Sequence, residues 1–110
     1  MLAQSGDVDG AMKEYGEAIR VNANYGDAYV NRGILRRGRG DNAGALEDFE
    51  KAVQAAPRLP EAYLNRGWMR QAAGDLPGAV ADYEKALELA PKGWRHRRLV
   101  EEKLKSARQK

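Results

Sequence analysis

The chain has 110 residues, 43% of them hydrophobic but only 7% aromatic, with no cysteine, a single histidine and a net charge of +3. That length builds one small domain around one economical core, and its richness in Ala, Leu, Glu, Arg and Lys is the balance of an all-helical soluble protein. The lack of cysteine excludes disulfides, thiolate catalysis and Cys-based zinc sites, the lone His96 argues against a histidine metal site, and no run of about 18 apolar residues is present to span a membrane.

Taken in chain order, the pattern predicts helices over 8–22, 26–39, 42–55, 60–73, 76–89 and 94–108. The first carries Met12, Tyr15 and Ile19 on one apolar side. In the second, Tyr29, Gly33 and Arg36 lie on one face; in the fourth, Tyr63, Gly67 and Arg70 do. The third has the stripe Ala45, Phe49, Ala52 and Val53. Gly40-Asp41 and Gly74-Asp75 read as a left-handed helix stop followed by a polar restart, and Pro57 and Pro91 punctuate the chain because proline lacks the N–H that a helix interior needs. The sixth helix shows a thin seam of Val100, Leu104 and Ala107, with Trp94 at its start.

Charge divides unevenly along these elements. Residues 1–91 carry 11 Lys and Arg against 14 Asp and Glu, a balance of −3, whereas residues 92–110 carry 8 against 2, a balance of +6.

An internal repeat organises the whole. Laying 26–59 over 60–93 pairs Ala28 with Ala62, Tyr29 with Tyr63, Asn31-Arg32-Gly33 with Asn65-Arg66-Gly67, and Gly40-Asp41 with Gly74-Asp75. The second halves match as well, with Ala45, Asp48, Phe49, Ala52 and Pro57 falling on Ala79, Asp82, Tyr83, Ala86 and Pro91, all 34 residues apart. One step back, Gly6-Asp7, Ala11, Glu14, Tyr15 and Ala18 supply only a second half.

These residues and this period resemble the tetratricopeptide repeat. The resemblance implies an all-α, right-handed α-solenoid of helical hairpins: a partial repeat at 1–25, full repeats at 26–59 and 60–93, and a basic capping helix at 94–110. Two departures from the family pattern stand out: Arg36 and Arg70 occupy a slot for a large apolar residue, and Arg32 and Arg66 a slot for Leu. Ion pairs with Glu14, Asp48 or Asp82, on the packing side of each second helix, account for Arg32 and Arg66.

No catalytic constellation is expected. The pairs Glu47-Asp48 and Glu101-Glu102 are adjacent on helices and point to different faces, so they do not converge as an acid and a base must. His96 sits among arginines with no partner at ligand spacing and reads as an exposed cap residue. Arg37-Gly38-Arg39-Gly40 ends a helix, whereas a phosphate-binding loop precedes one; as an RNA-binding tract it is a single short copy, which makes nucleic acid an unfavoured partner.

What remains is a second stripe on the first helix of each hairpin: Asp27, Val30, Asn31, Ile34 and Arg37, repeated as Glu61, Leu64, Asn65, Trp68 and Gln71, with Asp27 and Glu61 expected to bias the rim against acidic ligands. Offset from the packing stripe, it is expected to lie outside the core. By the resemblance it lines a concave groove for a peptide or partner segment, with Asn31 and Asn65 either bonding a ligand backbone or serving only as framework. Val30 and Leu64, with Asp27 and Glu61, stand where family members that grip chaperone C-termini carry a basic clamp, so such acidic ligands are expected to be rejected. No cofactor and no metal are implied. Two other readings stay open: polyanion binding through Arg95, Arg97, Arg98, Lys103, Lys105, Arg108 and Lys110, and self-association through the open edge of Met12, Tyr15 and Ile19. The first helix of the first hairpin is reduced to residues 1–5, so that edge is expected either to continue into a longer array or to meet another molecule. Cytoplasmic localisation is favoured, with any upstream targeting signal outside this sequence.

Overall fold

A computed structural model of the protein describes residues 5–109. The segment 1–4 and Lys110, both of which entered the reading of the sequence, lie outside the described residues. Within them the chain forms six helices and no strand: α1 Ser5–Val21, α2 Gly26–Gly38, α3 Asn42–Ala55, α4 Pro60–Ala72, α5 Leu76–Leu89 and α6 Arg97–Arg108.

The turns inside each hairpin are built by the predicted Gly-Asp pairs. Gly40 and Gly74 take φ of 84° and 87°, a region open to glycine at no Cβ cost. Their N–H groups donate to the carbonyls of Arg37 and Gln71, and the N–H groups of Asp41 and Asp75 donate to Arg36 and Arg70, which closes a Schellman stop. Each aspartate then starts the next helix, its carboxylate accepting from Gly44 N or Gly78 N at 3.0 Å. One residue ends a helix and begins the next, which fixes the hairpin angle.

Hairpins α2–α3 and α4–α5 stack in sequence, α6 covers α5, and α2, α4 and α6 run side by side as an inner layer of a body 40 × 25 × 25 Å. Small residues permit the close approach. A Cβ on Gly33 would stand 2.5 Å from the Phe49 ring, and one on Gly67 would stand 2.9 Å from the Tyr83 ring and 3.0 Å from Asp82 Cβ. Both rings are fully buried, so neither has room to withdraw. Gly67→Leu is therefore expected to cost about 1–3 kcal/mol despite the better helix propensity of Leu, read as a lower midpoint in urea. A variant as stable as the parent would refute this packing.

Burial follows the repeat. Tyr63, Leu64, Ala79, Tyr83, Ala86, Val100, Leu104 and Ala107 form the largest cluster, and Tyr29, Val30, Ala52 and Ala62 a second. Val30 and Leu64 thus correct the sequence expectation that their stripe lies outside the core. Side-by-side first helices cover the residue after each packing aromatic, so these two side chains are lost to the neighbouring helix. Tyr83, whose hydroxyl donates to Gln71 Oε1 at 2.7 Å, is pushed up from an ordinary 10.0 to about 12, mainly by burial.

The interior ion pairs go further than the sequence indicated. Fully buried Asp48 accepts from Arg32 Nε (3.0 Å) and Nη2 (2.8 Å) and from Arg36 Nη1 (3.1 Å). Asp82 accepts from Arg66 Nε (2.9 Å) and Nη2 (2.8 Å) and from Arg70 Nη1 (3.2 Å). The two departures from the family pattern are therefore one device: each buried carboxylate is held by two arginines one turn apart. Glu14, grouped with these aspartates from its repeat position, is instead exposed on α1.

One further expectation changes, at the C-terminal end. The last helix begins at Arg97 rather than 94, because Gly93 takes φ of 79° and Trp94 and Arg97 donate their N–H groups within turns to Pro91 and Trp94. Met12, Tyr15 and Ile19 are half-buried, with α2 packed on α1; among the described residues, the exposed large apolar side chains at this end are Val21 and Tyr25.

Candidate functional site

The inner layer places side chains of three helices around one concavity of about 260 Å³. From α2 and α4 come Val30, Asn31, Ile34, Arg37, Leu64, Asn65 and Trp68, seven of the eight residues singled out from the sequence. The eighth, Gln71, lines an adjoining hollow of about 340 Å³ together with Trp68, Leu99, Glu102, Lys103 and Ser106. Glu61, Arg95, His96 and Leu99 complete the first concavity. These C-terminal residues were not legible as lining, because the seam of Val100, Leu104 and Ala107 says only that α6 packs. It does not say that the opposite edge of α6 continues the inner layer.

The two asparagines are not equivalent. Asn31 is exposed, whereas Asn65 is 5% exposed and its Nδ2 donates to Glu61 O at 2.8 Å, one turn back in its own helix. The covering of α4 by α6 makes the difference. Ile34 and Trp68 keep 39% and 37% of their surface in water, an apolar pair on adjacent helices that the packing leaves open.

The electrostatics differ from the reading of the rim. Glu61 Oε2 accepts from Trp94 Nε1 at 3.1 Å and so ties the segment before α6 to the inner layer. Arg37, Arg95 and Lys103 face the hollows as well, alongside Glu61 in the first and Glu102 in the second. The Arg37 guanidinium carbon lies 4.2 Å from the Trp68 ring centroid and 5.5 Å from that of Phe49, and Lys103 Nζ lies 3.5 Å from Trp68. Burial pulls Arg37 below its ordinary value; Lys103 is lowered first by burial and then by the charge of Arg37. Of the two acids expected at the rim, Glu61 lines the concavity and Asp27 does not, and Glu61 shares that surface with cations from α2, from α6 and from the segment before it.

His96 is half-buried rather than an exposed cap residue, edge-on to Trp94 with centroids 5.3 Å apart, its Nε2 accepting from Arg95 Nε. Other basic residues of the C-terminal segment are distributed among separate contacts: Arg97 donates to Ala90 O, Arg98 pairs with Glu102 and Arg108 with Glu84. Among the described residues no group of three or more His, Asp or Glu could hold a metal, and no helix is long and apolar enough to cross a membrane. At the other end, Glu14, Glu17, Ala18, Val21, Asn22 and Tyr25 surround a shallow hollow of about 510 Å³.

Comparison with known proteins follows the geometry. Among solved structures, the first TPR of Spaghetti (RPAP3), bound to an HSP90 peptide of sequence SRMEEVD, superposes with a TM-score of 0.82 at 27% identity, covering 94% of this chain and 81% of that one. The TPR2B domain of yeast Sti1, in a complex with pHsp70, gives a TM-score of 0.82 at 21% identity over 94% and 85% of the two chains, which speaks for the fold alone. MamA gives 0.69 at 30% identity over 76% of this chain, which spans 48% of that one. No curated protein sequence matches significantly. The family model described as tetratricopeptide repeat matches residues 1–60 and again 30–93, and the chain belongs to the tetratricopeptide repeat family.

Proposed function

We propose that the protein is a non-enzymatic protein-interaction module that takes an extended peptide segment in the concavity between α2, α4 and α6. The observation that carries this reading is the convergence of Ile34, Trp68 and Leu99 from three helices on one open surface, all three exposed by more than a third. Exposed aromatic area inside a concavity is the usual anchor of a binding hot spot. The peptide-bound relative at 27% identity supports the same class of activity. Adjacent first helices lie roughly 10 Å apart, so an extended segment rising about 3.3 Å per residue crosses from α2 to α4 in about three residues. Asn31 is free to bond its backbone, an amide both donating and accepting. Asn65 contributes less, its N–H already given to Glu61.

Peptides selected by display on the intact chain test this. Trp68→Ala is expected to weaken the selected peptides at least tenfold, about 1.4 kcal/mol, and Asn31→Ala to weaken them measurably, with helix content by circular dichroism unchanged. If both variants bind as the parent does while reversing the charge of Arg97 and Arg98 abolishes binding, the groove is not the site.

A further inference from the structure

Four of the half-buried arginines on α2 and α4 share a solution: Arg32 and Arg36 hold Asp48, and Arg66 and Arg70 hold Asp82. Arg37 does not. It forms no ion pair among the described residues, and its Nη1 is closed off from solvent with no acceptor. The equivalent position one repeat on shows that a cation is not needed there for the fold. Gln71 stands in that slot, bonded to the Tyr83 hydroxyl, where Arg37 meets the ring of Phe49, which has no hydroxyl to bond.

Lys103, from α6, is brought to the same ring as Arg37, 3.5 Å from the centroid of Trp68, and also forms no ion pair among the described residues. Two cations are therefore held close enough to one indole for each to be felt by the other, in a partly desolvated hollow. The cation–π contacts offset part of that cost, at about 0.5–2 kcal/mol each, and the one carboxylate lining that hollow, Glu102, is paired with Arg98 at 3.7 Å, so neither Arg37 nor Lys103 has an acidic partner of its own among the described residues. An unbalanced charge pair beside an open concavity is electrostatically complementary to an anion.

We propose that Arg37 and Lys103 form an anion-recognition point beside Trp68 that takes an Asp or Glu side chain within the bound peptide. This deepens the groove reading and rests on it. The point differs from a clamp for a terminal carboxylate: the positions where that clamp expects cations hold Val30 and Leu64, both buried, and Asp27 and Glu61, the latter bonded to Trp94. The recognised group is a side chain inside the segment, flanked by apolar residues that cover Ile34 and Leu99.

The probe is a positional library of heptapeptides acetylated at the N-terminus and amidated at the C-terminus, so that no member carries a terminal charge. Binding is followed by the indole resonance of Trp68 in NMR spectra of the intact chain. The expected result is enrichment of Asp or Glu at one position, a loss of about tenfold on Lys103→Met or on replacing that acid by its amide, and little further loss when both changes are combined. Lys103→Arg, which keeps the charge, retains binding, and rising salt weakens the parent complex more than the Lys103→Met complex. Arg37→Gln, which copies the side chain found at position 71, is expected to reduce the acid preference without unfolding the chain. If peptides shift Trp68 with no acid preference and Lys103→Met binds them equally, Arg37 and Lys103 serve only to pack the ring; the anion point then fails and the groove stands. If no member shifts Trp68, the groove reading fails and this inference with it.

Discussion

Deleting residues 94–110 is expected to convert the folded protein into an aggregating, largely destabilised chain. Val100, Leu104 and Ala107 are buried in one cluster with Tyr63, Leu64, Tyr83 and Ala86. Burial of a Val or Leu side chain contributes about 1.5–3 kcal/mol, so Val100 and Leu104 alone account for about 3–6 kcal/mol, comparable with the whole stability of a small domain. The deletion also strips the Trp94–Glu61 hydrogen bond and uncovers the apolar side of α5, where Leu87 packs on the same cluster. A repeat array whose end loses its polar cap exposes a face built to be covered. Sedimentation over a concentration series and a thermal melt provide the check. A truncated chain that stays monomeric and melts with the parent would make the C-terminal segment an appendage and would favour a polyanion-binding role for its basic residues.

The second large effect is expected at the buried aspartates. Removing a buried carboxylate that two arginines share leaves both cations unpaired in a desolvated site, a change that costs about 3–5 kcal/mol. Asp48 is fully buried and accepts from both Arg32 and Arg36, so Asp48→Ala is expected to fall in that range, read as a lower midpoint in urea at constant slope. Replacing all three residues by Leu or Met is expected to restore most of the loss, because desolvation of the ions disappears together with their attraction. A loss below about 1 kcal/mol for Asp48→Ala would mean that water reaches the arginines and that the cluster is a surface pair in effect. The same reasoning applies to Asp82 with Arg66 and Arg70.

These two sets of residues mark different distances from the sequence. The repeat period, the hairpin turns and the close approach of Gly33 to Phe49 and of Gly67 to Tyr83 are local or 34-residue regularities, visible because each hairpin repeats the same short-range geometry. Pairing of Arg32 with Asp48 was legible for the same reason: both recur in phase, on helices that a short turn forces together. That Arg36 and Arg70 join the same carboxylates was hidden, because an arginine in an apolar slot has no partner written beside it. Which residues of the second stripe stay open depended on neighbours far along the chain. Val30, Leu64 and Asn65 are covered by adjacent first helices, while Ile34 and Trp68, one turn further on, are not.

The charge of the groove lay beyond the sequence for a related reason. Composition assigns the basic excess to residues 92–110 and the pattern assigns α6 to capping, but neither says which way the edge of a cap faces. Only the stacking of α6 beside α4 brings Lys103 and Arg95 to the surface that Arg37 shares and draws Trp94 onto Glu61. Local periodicity by itself determined the helices, the turns and the packed glycines, since those are settled within one repeat. The tertiary structure alone decided what the inner layer presents, because each side chain there is exposed or buried by a helix about 34 residues away.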